Sequence, residues 1–465
     1  MDSKYVAVIE IGSSKIKGMV AAVDATADIS VLAVEETDSG DAVRYGRVQN
    51  AREVSSRVAD IIRRLENSRT LTGAEISSIF VAAGGRSVNS SFAEASLSLG
   101  GETEVSPQTI ERLHKDARYN LATDRDVLYI ADRRFFVDNS EVKKVVGSYG
   151  NSVRGEFTIV TASPENRRNL DRVKIESHDK DVPRTYIPRA VALADMYLSD
   201  SDRQLGALLV DFGAETTTLT ICRNSAIQMI ATLPMGSSNI TRDLSKALGI
   251  TEQDAERIKT TTGYASTERL KIESSDSQEA EIVHCISART GEIVANIINF
   301  ADKAGYKIAD LQAGIVVTGG GSRLNGFVEM LESQTKAKVR RIAIDSAIKS
   351  NGIDLSQNAD VLALVKYAAT NYDTDCVTLP EPTTEEVSQT GTYRNGRRIL
   401  ADDDPNLLKD DDFDQPINVN KDDDEYLDEN DEGRDDPATR RKNLLGKIKG
   451  WFTTPVENND LDEEE

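Results

Sequence analysis

Two segments of this chain repeat one form: Val8 to Lys15 reads VIEIGSSK and Leu209 to Thr218 reads LVDFGAETTT. In each, a β-rich run reaches an acid, Glu10 or Asp211, and turns on a glycine into a second run. The turns comprise Gly12, Ser13, Ser14 and Lys15 in one case and Gly213, Ala214, Glu215, Thr216 and Thr217 in the other. A hairpin turn of glycine and hydroxyl residues aims amides and side-chain donors at one point, as a phosphate requires. The strand-end acids can hold a metal through water. One such turn is common and binds nothing by itself. A third segment, IVVTGGGSRL, changes this, because a buried strand that ends in Gly319, Gly320 and Gly321 and opens a helix lets the backbone approach a flat ligand.

The rest of the chain alternates strand and helix in an α/β pattern. Tyr5–Ile11 and Gly18–Val23 read as a hairpin, followed by a helix with Val54, Val58, Ile61, Ile62 and Leu65 on one face and a strand at Ile79–Ala83. Between Gly84 and Ser163 the order becomes strand, helix, strand, strand, with Ser106-Pro107 starting the helix: serine caps free amides and proline tolerates the first turn. The main pattern resumes with strands LGALLVDFG and TTLTICRN, helices over about Ser238–Leu248, Glu252–Thr262 and Arg289–Ala304, the strand Gly314–Thr318 and a helix over about Gly326–Gln334. The folded body ends near Leu379-Pro380.

Beyond it, composition shifts. Asp402 to Asp436 holds 17 acids against 3 bases, with almost no apolar periodicity, so it cannot bury enough area to offset the entropy of ordering and is expected to be disordered. Then RRKNLLGKIKGWFT, residues 440 to 453, sets Leu444, Leu445, Ile448, Trp451 and Phe452 on one helical stripe, with Lys447, Lys449 and three further cations beside it. At 1.5 Å per residue this helix is about 21 Å long, too short for a hydrocarbon core of about 30 Å, so it can lie on an anionic membrane surface but not cross it. The alternative is docking on its own domain. Solvated acidic flanks favour a target outside the chain.

Of the net charge of −22, only −7 falls outside the acidic segments and this helix, which argues against nucleic acid as a partner. Cys222, Cys285 and Cys376 lie far apart, and His114, His178 and His284 have no metal-ligand spacing. The opening MDSK and the interruption at Glu10 make no signal peptide, so a cytoplasmic, reducing compartment is expected.

The two acid-ended hairpins followed by strand-TGGG-helix, in that order, resemble the actin, sugar kinase and heat-shock chaperone ATPase superfamily. Within it the chain resembles the FtsA family of actin-like cell-division proteins. VIEIGSSKIKGMV, the strand-helix-strand-strand insertion, PMGSSNITRDLSKALGI with AERIK, and the terminal amphipathic helix carry that likeness. It implies an α/β, two-lobed actin-like ATPase fold with an inserted subdomain, a disordered acidic linker and a C-terminal amphipathic helix. The first lobe would be 1–83, 164–200 and 350–379, the insertion 84–163, the second-lobe core 201–235 and 310–349, and its outer part 236–309. Linker, helix and tail would be 380–439, 440–453 and 454–465.

The resemblance further implies ATP with Mg2+, the first two turns clamping phosphates, Glu10 and Asp211 on the metal side, the glycine run against adenosine, and Glu256 and Lys259 reaching ribose and base. Implied partners are the FtsZ C-terminal peptide at about 236–309, further copies of the chain in filaments, other division proteins at the insertion, and the cytoplasmic membrane face at the division site. Three departures qualify this. Ala214 and Glu215 replace glycines of the second turn, Glu10 replaces an aspartate, and IPRAVAL (Ile187–Leu193) lacks the water-positioning glutamine of actins. Nucleotide binding with at most weak hydrolysis is the expectation. A small-molecule kinase of the same superfamily and a pilus-assembly scaffold are the competing readings. The S-x-x-K match Ser14–Lys17 lacks the supporting elements of an acyl-transfer site.

Overall fold

The computed structural model describes residues 3–379 apart from 122, 262 and 266–277. The expected linker, the amphipathic helix with Leu444 to Phe452, and the tail lie outside the described residues. Each acid-ended strand sits at the centre of a five-strand unit built on one plan. In the first sheet, Lys4–Ile11 pairs antiparallel with Lys15–Val23, which pairs antiparallel with Ile29–Asp38. On its other edge Lys4–Ile11 runs parallel to Ile79–Ala83, and that strand runs parallel to Arg184–Pro188. In the second sheet, Ala207–Phe212 pairs antiparallel with Thr217–Arg223 and that with Ala226–Leu233, while the parallel side carries Gly314–Thr318 and then Val339–Arg341. All six residues of Ala207–Phe212 are buried, as are Val6 to Ile11. Strands covered on both faces read as unbroken apolar runs, which is why both stood out in the sequence.

Helices cover these sheets. Ala51–Glu66 starts on Asn50, whose side chain accepts from the Glu53 amide at 3.2 Å, and buries the five apolar residues of its stripe, each contributing about 1.5–3 kcal/mol. The helices Arg189–Tyr197 and Ala359–Asn371 meet between the lobes, where Leu193, Ala194 and Tyr197 share a cluster with Leu209, Val316, Ala359 and Ala363. The Tyr197 hydroxyl donates to the Ala359 carbonyl at 2.7 Å and fixes their crossing.

The insertion contains the strand Asn89–Glu104, the helix Pro107–Asn120 and the strands Asp126–Val137 and Tyr149–Ala162, with a short extra strand at Ser140–Val142. Ser106 caps the helix as a reciprocal box with Thr109, each side-chain oxygen accepting from the other's amide at 3.3 Å. Its core is its own, centred on Leu113, Val153, Phe157 and Ile159. Its sheet is nonetheless continuous with the second-lobe sheet through one register pair, Asn89 with Ala231.

Several elements differ from the sequence expectation, which also named no strand at Ile29–Asp38, Arg184–Pro188 or Val339–Arg341 and no helix at Pro164–Asp171 or Ala359–Asn371. Leu205 ends a short helix, Asp200–Leu205, because Ser199 and Asp202 form a capping box ahead of the strand. Ala226–Leu233 is an additional strand, joined to Thr217–Arg223 by a tight turn with Asn224 and Ser225 at positive φ. The helix expected from Arg289 begins at Gln278, since Val283, Cys285 and Ile286 are also buried.

Candidate functional site

The two hairpins, the glycine run and the helix Glu252–Thr261 enclose one cleft of about 760 Å³. The hairpins close identically: the Gly12 amide donates to the Lys15 carbonyl at 3.0 Å and the Gly213 amide to the Thr216 carbonyl at 2.9 Å. In both a Cβ on the glycine would stand within 3.0 Å of that carbonyl, so the turn excludes a side chain. The backbone amides of Ser13, Ser14, Ala214 and Glu215 have no partner among the described residues, so both turns offer N–H groups. Ser13 is itself held in place, its hydroxyl accepting from the Gly46 amide at 2.7 Å.

Of the residues expected at a nucleotide, all but Glu215 and Thr217 line the cleft. Thr217 is buried and donates to the Met235 carbonyl at 2.8 Å. The Glu215 carboxylate turns away from the cleft: it accepts from the Tyr45 amide at 2.6 Å and from Arg242 at 2.9 Å, and Arg44 Nε lies 3.2 Å away. A carboxylate that would repel a phosphate is thereby spent on holding the second turn to the loop after the first sheet.

The glycines of the third turn serve different ends. Gly319 has φ +85°, and a Cβ there would lie 2.4 Å from the Phe212 carbonyl; at Gly321 it would meet the Phe212 ring at 2.8 Å. Both bring the turn against the strand that carries Asp211. Only Gly320 has open space, so it is the glycine that a flat ligand could approach. Across the cleft, Lys259 is almost fully buried and donates to Glu256 at 2.7 Å and to the Thr241 hydroxyl at 3.0 Å. Desolvation pulls its pKa below the ordinary lysine value, opposed by the Glu256 charge.

Between the two acid-ended strands stands a residue not expected there. Arg189, the first residue of the helix Arg189–Tyr197, hydrogen-bonds Asp211, and its Nε lies 3.2 Å from Glu10 Oε1. Glu10 and Asp211 are 8% and 4% exposed. Burial pushes the Glu10 pKa up, and Arg189 opposes that push. The expectation that these acids hold Mg2+ through water does not fit this donor set, since one guanidinium already bridges the two carboxylates. Lys17 and Asp360, also unexpected, form a second pair in the cleft at 3.1 Å. With Lys15 on Glu36 and Lys259 on Glu256, all five carboxylates that line the cleft are paired. Arg189 had a faint sequence signal, as the only charge in IPRAVAL. Lys17 and Asp360 had none, being 343 residues apart.

The family model described as "Cell division protein FtsA" matches residues 208–362, and that described as "SHS2 domain inserted in FTSA" matches 85–161, the two together spanning lobe and insertion. Both matching models are FtsA-family models. Among curated FtsA-family relatives, the "Cell division protein FtsA" of Porphyromonas gingivalis is 29% identical over 390 residues, 80% of each chain. That of Pseudomonas aeruginosa is 26% identical over 355 residues, 72% of this chain and 82% of the other. Among solved structures, the "PilM-PilN type IV pilus biogenesis complex" aligns with 79% of this chain and 99% of its own at a TM-score of 0.54. At 13% identity that likeness shows the fold alone. The architecture is thus the actin-like ATPase fold with an SHS2 insertion.

Proposed function

We propose that this chain binds ATP in the cleft, self-associates on the cytoplasmic membrane face, and tethers FtsZ filaments at the division site through their C-terminal peptide. The observation that carries the nucleotide reading is the pair of congruent hairpins presenting unpartnered amides across one cleft. Ser13, Ser14, Ala214 and Glu215 would hold phosphates by their backbone N–H groups, Gly320 would lie against adenosine, and Glu256 with Lys259 would meet the ribose and base. Such amides cost no reorganisation when phosphate charge arrives. Hydrolysis is slow in this reading: a base for the attacking water must be free to take its proton, and the cleft carboxylates are engaged. The same pairing weighs against the kinase reading, which needs a base for the substrate hydroxyl. The FtsA-specific family matches weigh against the pilus reading.

Membrane attachment rests on residues 440–453. No helix among the described residues is long and apolar enough to cross a membrane. Each basic residue near an anionic surface contributes about 1 kcal/mol, so one helix binds weakly and assembly multiplies it through effective concentration. In co-sedimentation with vesicles rich in anionic lipid, Trp451→Glu is expected to leave the protein in the supernatant; equal pelleting refutes the anchor. An immobilised FtsZ C-terminal peptide is expected to retain the protein, and failure to do so removes the tether. ATP titration of the purified chain tests the cleft, and absence of affinity reduces the body to a scaffold.

A further inference from the structure

We propose that Arg189 is the resident cation of the phosphate site, so that a nucleoside triphosphate binds between the two hairpins without a divalent ion held by Glu10 and Asp211. This rests on the nucleotide reading of the cleft. The guanidinium faces both Asp211 oxygens, with NH2 at 3.5 Å from Oδ1 and NH1 bonded to Oδ2, while Nε faces Glu10 at 3.2 Å. A hydrated magnesium ion needs octahedral space and carboxylates free to accept from its waters. Here the guanidinium already takes up Asp211 and faces Glu10, so the waters of a metal ion would find the space filled and the Asp211 carboxylate engaged.

The helix gives Arg189 no reason to be where it is. It is the first residue of Arg189–Tyr197, where a cation opposes the helix dipole, so the acids must be what hold it there. Its donors are not exhausted. Nε is buried against Glu10, but NH2 makes only the long 3.5 Å contact with Asp211 Oδ1. The residue lines the cleft between the hairpin amides, and a planar fork of N–H groups matches phosphate as well as carboxylate. Arg189 also comes from the helix that joins the lobes, so it reaches a strand end of each sheet at once.

The test is calorimetric titration of the full-length protein with ATP, in magnesium and in EDTA. Wild type is expected to differ by less than about threefold between buffers, and Arg189→Gln by more than about tenfold in favour of magnesium, because the freed acids then accept the metal. Arg189→Lys keeps the charge and is expected to remain within about threefold. Should Arg189→Gln not fold, Mn2+ titration of wild type followed by electron paramagnetic resonance decides, with no bound Mn2+ expected in the absence of nucleotide. Wild-type affinity lost in EDTA alone, or one Mn2+ bound by wild type without nucleotide, overturns this proposal and leaves the nucleotide reading standing. No ATP affinity in either buffer overturns both.

Discussion

Consider replacing Glu215 by alanine. If this side chain faced the phosphates, its removal would relieve repulsion and tighten ATP binding. The structure gives a loss of stability with ATP affinity little changed, because the carboxylate is spent elsewhere. Truncation leaves the half-buried Tyr45 amide without its acceptor, at a cost of about 1–3 kcal/mol. The Arg242 pair adds about 1 kcal/mol, since the arginine side chain is 22% exposed and water reaches it. Arg44, at 40% exposure and with Asp41 as a second partner, adds only a few tenths. The loss is therefore about 2–4 kcal/mol. With an unfolding entropy of about 2.1 cal/mol/K per residue over roughly 380 residues, Tm should fall by about 3–5 °C. Differential scanning calorimetry of nucleotide-free protein reads the shift, and ATP affinity should change by less than about threefold. A Tm within about 1 °C of wild type, together with about tenfold tighter ATP, would refute the assigned orientation of Glu215.

Gly319→Ala forces a side chain at φ +85° into the Phe212 carbonyl and should lower Tm by more than about 3 °C, whereas Gly320→Ala, with open space, should keep Tm and weaken ATP binding; a thermal shift assay with an ATP titration separates them. Burial pushes the Cys222 and Cys285 thiols up to about 12 and raises that of Cys376 as well, so a disulfide reagent at pH about 8 should label no cysteine in the native protein and all three in urea. The Glu10 pKa is raised above 4.5, so its contribution to stability is present below that value and lost as pH rises through the folded pKa. Glu10→Gln removes this term: the urea midpoint of wild type should fall relative to that of the variant as pH rises above about 4.5, and parallel curves would contradict the assigned burial.

The parts of this fold legible in the sequence are those whose cause is local. Ser106 and Thr109 cap each other within one turn, the stripe Val54 to Leu65 buries one helix face, and Gly12 and Gly213 each close a turn on a carbonyl three residues on. The strand Ala226–Leu233 was missed because its apolar run follows Thr217–Arg223 across a two-residue turn, Asn224-Ser225, that carries no glycine. The site failed in a different way. Residue types foretold which elements would meet, but not which charges would be spent in meeting. Glu215 finds Tyr45 and Arg44 about 170 residues away, and Arg189 joins acids contributed by separate sheets. No spacing rule encodes a pairing that exists only once two lobes have closed on one another.

The single register pair between Asn89 and Ala231, reinforced by the Ile230 amide on the Ser90 hydroxyl at 2.7 Å, has a mechanical meaning. It welds the insertion to the outermost strand of a three-strand meander whose innermost strand ends at Asp211 and the second hairpin. A displacement of the insertion is therefore two antiparallel ladders away from the second hairpin. The backbone rung does not act alone: the Thr158 hydroxyl on the Gln228 carbonyl at 3.4 Å and Arg133 on the Gln228 side chain tie the insertion to the same strand, so this junction couples the two by several contacts at once.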